Sequence, residues 1–181
     1  IALTSKEDLA ERYALLLARE GAYNLQGARE AQYRDLQELK ELAMALRNAQ
    51  EKTDGMQCAA RRLAGVALRE ADYALWTGNY SDAVAASEKA TRLAREGGDR
   101  KREAAGYLQW GRALILSGTS VPKIERALTL ARAANFPAME ADILRELGLS
   151  YCNVRGDYAA ARTYLEEALR IYRETDDRMG E

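Results

Sequence analysis

The chain has 181 residues and a net charge of −1, with 27 basic against 28 acidic side chains, a balance that lacks the basic excess a dedicated nucleic-acid binder relies on. Apolar residues make up 48 % and charged residues 30 %, with two prolines and no histidine; the chain reads as ordered and soluble, without the commonest general base and zinc ligand. No apolar run approaches the length that crosses a bilayer, and no signal sequence opens the chain.

Alanine, leucine, glutamate and arginine dominate, and no alternating strand pattern occurs, so the fold class is all-α. The first helix is predicted to start at Thr4-Ser5-Lys6-Glu7, which has the spacing of a capping box. It carries Leu9, Tyr13, Leu16, Leu17 and Tyr23 at helical spacing, tolerates Gly21 and stops at Gly27. The second runs from about Ala28 to Asn48 with Leu36, Leu39, Leu42, Ala43 and Leu46 inward, and 49–55 is a polar loop.

Helix three spans about Asp54 to Thr77, with Leu63, Val66, Ala67, Ala71, Tyr73 and Ala74 as core, and breaks at Gly78-Asn79. Helix four, with Ala83, Val84, Ala90, Leu93 and Ala94, ends at Gly97-Gly98-Asp99, where glycine allows a left-handed stop and aspartate caps the next helix. Helix five carries Tyr107, Trp110, Gly111 and Leu114 to a stop near Gly118. Helix six is shorter, from a Ser120 cap with Pro122 in the first turn to Ala134. Asn135-Phe136-Pro137 turns the chain into helix seven, with Leu144, Leu147, Gly148 and Tyr151; helix eight holds Tyr158, Ala161, Leu165, Ala168, Leu169 and Tyr172.

The motif Gly156-Asp157-Tyr158, Ala161, Ala168 recurs as Gly78-Asn79-Tyr80, Ala83, Ala90. Recurrence of a helix–turn–helix unit marks a solenoid, whose units bury their faces only by stacking. Small residues at Gly148, Ala161 and Ala168 allow two helices to approach closely, and Tyr151 and Tyr158 are sized to fill the wedge between pairs. In the third pair Trp110, Gly111, Leu114 and Ala127 take the same parts, with Trp110 in the core. The first pair departs, with Gln32 and Leu39 where alanines are expected.

This alternation resembles the tetratricopeptide repeat, whose aromatic-or-leucine, leucine, glycine, tyrosine, alanine and alanine positions are matched by Leu144, Leu147, Gly148, Tyr151, Ala161 and Ala168. The resemblance implies a right-handed α-solenoid of about four antiparallel helix pairs, at 4–48, 54–95, 100–134 and 138–175, forming one domain over 1–181. The turn glycines Gly27, Gly78, Gly118 and Gly156 are spaced more widely than the usual repeat of about 34 residues. With the linker texture Ala94–Arg100 and Tyr172–Glu181 and the opening Arg19–Glu30, the long period resembles the sensor arrays of bacterial maltose-regulator-type activators and related signal-transduction ATPases with numerous domains. That resemblance implies a larger parent whose nucleotide switch lies elsewhere, since no Gly-Lys-Ser/Thr phosphate loop occurs here. Opening on Ile1 and ending on Met179-Gly180-Glu181 fit a piece of such a parent.

No catalytic constellation is present, and no cofactor or metal is expected. Cys58 and Cys152 are far apart and read as buried reduced thiols, placing the chain in a reducing, cytoplasmic compartment. Adjacent carboxylates such as Glu166-Glu167 and Asp176-Asp177 diverge on a helix, and Gly106 lies inside a helix and cradles nothing.

Function therefore rests on surfaces. In such an array the first helix of each pair lines the concave face, and the resemblance carries groove positions onto Asp142, Arg145, Leu149 and Asn153 in the fourth pair. In the third they are Leu108, Arg112 and Ile115, in the second Asp72, Leu75 and Trp76, and in the first, by analogy, Glu20, Tyr23 and Asn24. Arg112, Arg145 and Asn153 suit a carboxylate, peptide terminus or sugar, because guanidinium offers a rigid fork of donors; the plainer alternative pairs them with Asp142 and Glu146. Trp76 is either a groove anchor or a wedge between pairs, the commoner fate of a tryptophan near a helix end. The expected partner is a protein, peptide or small ligand, not nucleic acid or membrane. The alternative is a scaffold that self-associates, as a homodimer through its exposed end helices, with Tyr164, Leu165 and Ile171 on the open face of helix eight.

Overall fold

The computed structural model describes residues 9–49, 55–117 and 122–175. Among them there is no strand. Eight α-helices follow one another: α1 (Leu9–Gln26), α2 (Arg29–Ala49), α3 (Gly55–Trp76), α4 (Tyr80–Glu96), α5 (Arg100–Leu116), α6 (Pro122–Ala133), α7 (Pro137–Ser150) and α8 (Tyr158–Glu174). A five-residue π turn, Tyr151–Arg155, extends α7. Each helix packs on the next, α3 also packs on α5, and α5 on α7. The capping box at Thr4–Glu7, the stop at Gly118 and the Ser120 cap lie outside the described residues. Pro122 opens α6, as its place in a first turn predicts.

The helix ends share one chemistry. Gly27, Gly78 and Gly98 take φ of 70°, 74° and 65°, and Asn135 takes 54°. The residue after each sends its N–H back five positions: Ala28 to Tyr23 O, Asn79 to Ala74 O, Asp99 to Ala94 O and Phe136 to Ala131 O, at 2.8–3.1 Å. These bonds close the helix carbonyls that would otherwise lack donors. After the π turn the same step is one residue longer: Gly156 has φ of 66° and Asp157 bonds Tyr151 O at 3.0 Å. The next helix then starts on a cap. Asp99 accepts from Arg102 N and Asp157 from Ala160 N, each at 3.0 Å, while Pro137 opens α7.

Small residues set how closely the helices cross. A Cβ on Gly148 would stand 2.6 Å from Leu165 Cγ and 3.1 Å from the Ala161 carbonyl oxygen. Gly111 meets Ile124 in the same way, so Ile124, not Ala127, sits opposite the third-pair glycine; Ala127 is buried one turn further on. Seven residues beyond Ile124 and Ala161 come Ala131 and Ala168, both buried. Ala83 and Ala90 hold the equivalent places in the second pair, fully buried. Gly106 is not idle: its Cα lies against α4, where a Cβ would come within 3.0 Å of Thr91 N.

The first pair solves the crossing differently. Gln32 and Leu39 stand at the alanine positions and are completely buried. Gln32 Nε2 donates to Glu20 Oε1 at 2.8 Å, and Arg69 of α3 ion-pairs with the other Glu20 oxygen. Glu20, 1 % exposed, is thus held by neighbours on two helices. Beside it Arg19 grips Asp35 through two hydrogen bonds of 2.7 and 2.5 Å.

Two apolar clusters carry most of the core. One joins Leu16, Leu39, Leu42, Leu63 and Val66 across α1–α3; the other joins Leu108, Ile124, Ile143, Leu144, Leu147 and Tyr172 across α5–α8. Burying each such side chain stabilises by about 1.5–3 kcal/mol.

Several expectations are corrected. Cys58 is exposed, because it lies in the first turn of α3 where no described helix covers it, and Cys152 is half-buried. Trp110 is half-buried, stacked on Tyr107 with Lys123 Nζ 3.7 Å above its ring. Tyr151 does pack, with its ring centre 5.1 Å from that of Tyr164, but Tyr158 is 72 % exposed and wedges nothing among the described residues. Ile171 points into the core rather than onto the open face of α8.

Candidate binding cleft on the α3, α5 and α7 face

The last turns of α3, α5 and α7 form one side of the molecule. A cleft of about 410 Å³ opens there, lined by Asp72, Leu75 and Trp76 from α3, Ile115 and Arg112 from α5, and Leu149 from α7, and reaching Asn153 in the π turn. Trp76 is 70 % exposed, Leu116 at the rim 56 % and Leu149 41 %. Large apolar side chains left in contact with water around a concavity, with charged groups between them, are what a binding site presents.

Trp76 is held at the cleft mouth rather than sealed between pairs. Arg29 of α2 stands 5.5 Å from its ring centre and is itself fixed by Asn24 Oδ1 at 2.8 Å and Gln32 Oε1 at 2.6 Å. The cation lies over the ring and leaves the aromatic surface largely open. The wedge alternative for Trp76 is therefore corrected: its side chain is exposed rather than packed.

Charged groups alternate in sign along this face. Glu20 pairs with Arg69, Asp72 lies in the field of Arg69 and Arg112, and Arg112 and Arg145 share Glu146 at 2.6 and 2.9 Å. Arg112 thus takes the paired alternative, through Glu146 and not Asp142. Sharing one carboxylate between two guanidiniums leaves donor capacity on both arginines. Asp72 also accepts a hydrogen bond from Gln109 Nε2. Burial pushes its carboxyl above the ordinary range, and Arg112 and the Gln109 bond oppose this only in part.

That shift has a sign. A carboxyl raised in the folded state holds its proton longer than the unfolded chain does, so stability falls as pH rises through its titration. Asp72→Asn is expected to raise the unfolding midpoint at neutral pH and to change nothing below the ordinary carboxylate range. Denaturation of the pair at several pH values checks this; a loss of stability at neutral pH would contradict it.

The thirteen candidate positions divide. Asp72, Leu75, Trp76, Arg112, Ile115, Leu149 and Asn153 meet in this cleft. Glu20 and Asn24 line a neighbouring hollow of about 450 Å³ between α1 and α3, which also reaches Asp72; Glu20 is only its buried floor. Leu108 is 8 % exposed and belongs to the core, because the middle of α5 is packed by neighbouring helices and Leu108 joins Ile124, Ile143 and Leu144 in one cluster. Tyr23, Asp142 and Arg145 line neither hollow. Arg19 lies 5.9 Å from the Tyr23 ring, and Asp142 accepts from Tyr172 Oη at 2.8 Å. Burial and Asp142 push that hydroxyl up to about 12. Gln109 and Arg69, which tune Asp72, and Leu116 and Ser150, which line the cleft, were not singled out from sequence; only their spacing of three or four residues from Arg112, Asp72 or Asn153 signalled them.

Among the described residues no three His, Cys, Asp or Glu side chains are grouped to hold a metal ion, and no helix is long and apolar enough to cross a membrane. No protein-family model matches the chain, and no curated protein matches it significantly.

Proposed function

We propose that the chain is a helical-repeat binding module that takes a peptide or small ligand in the cleft along α3, α5 and α7. The observation that carries this reading is the convergence of Asp72, Trp76, Arg112 and Asn153, from α3, α5 and the turn after α7, on one half-apolar cleft. A ligand with an apolar or aromatic group would lie on Trp76, Leu116 and Leu149 and set a polar end against Arg112 and Asn153. The architecture we infer is a right-handed tetratricopeptide-like solenoid of four antiparallel pairs, supported by the recurring left-handed turns and the small residues at the crossings. The likeness to long-period sensor arrays further supports a place in a larger signalling ATPase, with this segment as its sensor.

The test is a thermal-shift screen of the chain against peptides, sugars and metabolites, repeated with Trp76→Ala and Arg112→Ala. A hit is expected to be lost in both variants and to persist in Arg145→Ala, which lies outside the cleft. A ligand whose binding ignores Trp76 and Arg112, or a screen with no hit, would sink the reading.

A further inference from the structure

We propose that the outer face of α8 is a self-association surface that takes a second copy of this chain, laid antiparallel about a twofold axis. Among the described residues α8 packs chiefly on α7 and the π turn, and its other side is open. An apolar strip runs along the flank of that side, where α8 leaves α7 and the π turn. Tyr158 is 72 % and Leu165 37 % exposed, Leu169 is half-buried between turns, and together with Cys152 and Ala161 they line a shallow hollow of about 340 Å³.

Beside the strip runs a line of charges, Arg162, Glu166, Arg170 and Glu174, four residues apart and all exposed. Residues at that spacing share one edge of a helix. Within one chain they pair as Arg162–Glu166 and Arg170–Glu174, each at 2.7 Å. Exposed pairs one turn apart contribute little to a single helix, so the order of signs is free to serve another purpose.

Read backwards, Arg-Glu-Arg-Glu becomes Glu-Arg-Glu-Arg. A second α8 lying antiparallel, centred midway between Glu166 and Arg170, sets Arg162 against Glu174 of the second copy and Glu166 against Arg170 of the second copy. All four contacts join opposite charges. A parallel copy in register would set like on like. The pattern is therefore complementary to itself in one orientation, which is the requirement of a closed, isologous dimer, and that orientation lays the Leu165–Leu169 strip of one copy over that of the other. The charge order favours this occupant over an acidic or basic partner, because the line carries equal numbers of both signs. The proposal is independent of what the cleft binds, since α8 contributes no residue to it.

Sedimentation velocity of the full chain over a concentration series tests it. The parent is expected to pass from monomer to dimer. Arg170→Glu sets like charges against Glu166 at both symmetric contacts and is expected to weaken the dimer about tenfold or more. The fourfold reversal Arg162→Glu/Glu166→Arg/Arg170→Glu/Glu174→Arg keeps the within-helix pairs and is expected to restore the dimer with itself but not to mix with the parent. A parent that stays monomeric throughout, a dimer indifferent to Arg170→Glu, or a fourfold variant that mixes freely with the parent would each overturn it.

Discussion

Gly106→Leu is expected to destabilise the chain by about 3 kcal/mol, and Gly21→Ala to stabilise it by about 0.5–1 kcal/mol. Both glycines lie inside helices, where a side chain would ordinarily help by restricting the unfolded backbone. What separates them is the neighbour. A Cβ on Gly21 would find its nearest atom, Arg69 Nη1, at 3.9 Å, an ordinary contact at the tip of a flexible side chain. On Gly106 it would come within 3.0 Å of Thr91 N and 3.1 Å of Thr91 Cα. Backbone cannot rotate away, so α4 and α5 must separate, and the buried Thr91 and Ala94 lose their packing with them. Urea denaturation of the two variants measures both signs. A Gly106→Leu midpoint equal to the parent's would mean that α4 and α5 do not cross at this point.

The second large effect is expected at Glu20. Glu20→Ala removes the acceptor of Gln32 Nε2 and the ion-pair partner of Arg69 at once. Arg69 is 34 % exposed and turns to water, but Gln32 is wholly buried and has Arg29 as its remaining polar neighbour. Stripping one member from a buried charged set costs about 3–5 kcal/mol, and the lower end applies here. Glu20→Ala/Gln32→Ala restores small side chains at both crossing positions, in the manner of Ala71 and Ala83, both fully buried. It is expected to cost about 1.5 kcal/mol less than the sum of the single replacements. A double-mutant cycle in denaturant decides; strict additivity would show that Glu20 and Gln32 do not act as a pair.

The helices were legible because their ends are local. Gly27, Gly78, Gly98 and Gly156 announce a left-handed residue, and an alternation of apolar and polar side chains between such marks leaves little choice. The crossings were legible in part: Gly148 and Ala161 were placed correctly, whereas Ile124 in the third pair was hidden because a branched side chain stands where a small one was expected. Leu108 could not be read as core without knowing that α5 is packed by four other helices. The wedge reading failed for both Trp76 and Tyr158 for one reason, that the fate of an aromatic near a helix end depends on what the next helices cover. Cys58 belongs with them, since a first-turn residue is buried only if another element lies across it. The groove positions that the resemblance carried over include Asp72, Trp76, Arg112 and Asn153, which line one cleft, but it did not point to Gln109 or to the sharing of Glu146, which depend on side-chain reach between helices.

The π turn at the end of α7 has a consequence for how the chain could change over time. The turn after α7 bonds back over six residues where the other left-handed turns bond over five, yet Gly148 still meets Ala161 and Leu165 at the crossing. The surplus is taken up inside a single widened turn, which then closes on Gly156 and Asp157 like the others. Length is thus negotiable at the ends of the first helices, where hydrogen bonds close over a few residues. Volume is not negotiable where helices cross. Insertions at the former sites and substitutions at the latter would be sorted differently by selection, and copies of such a unit could drift apart in length while remaining stackable.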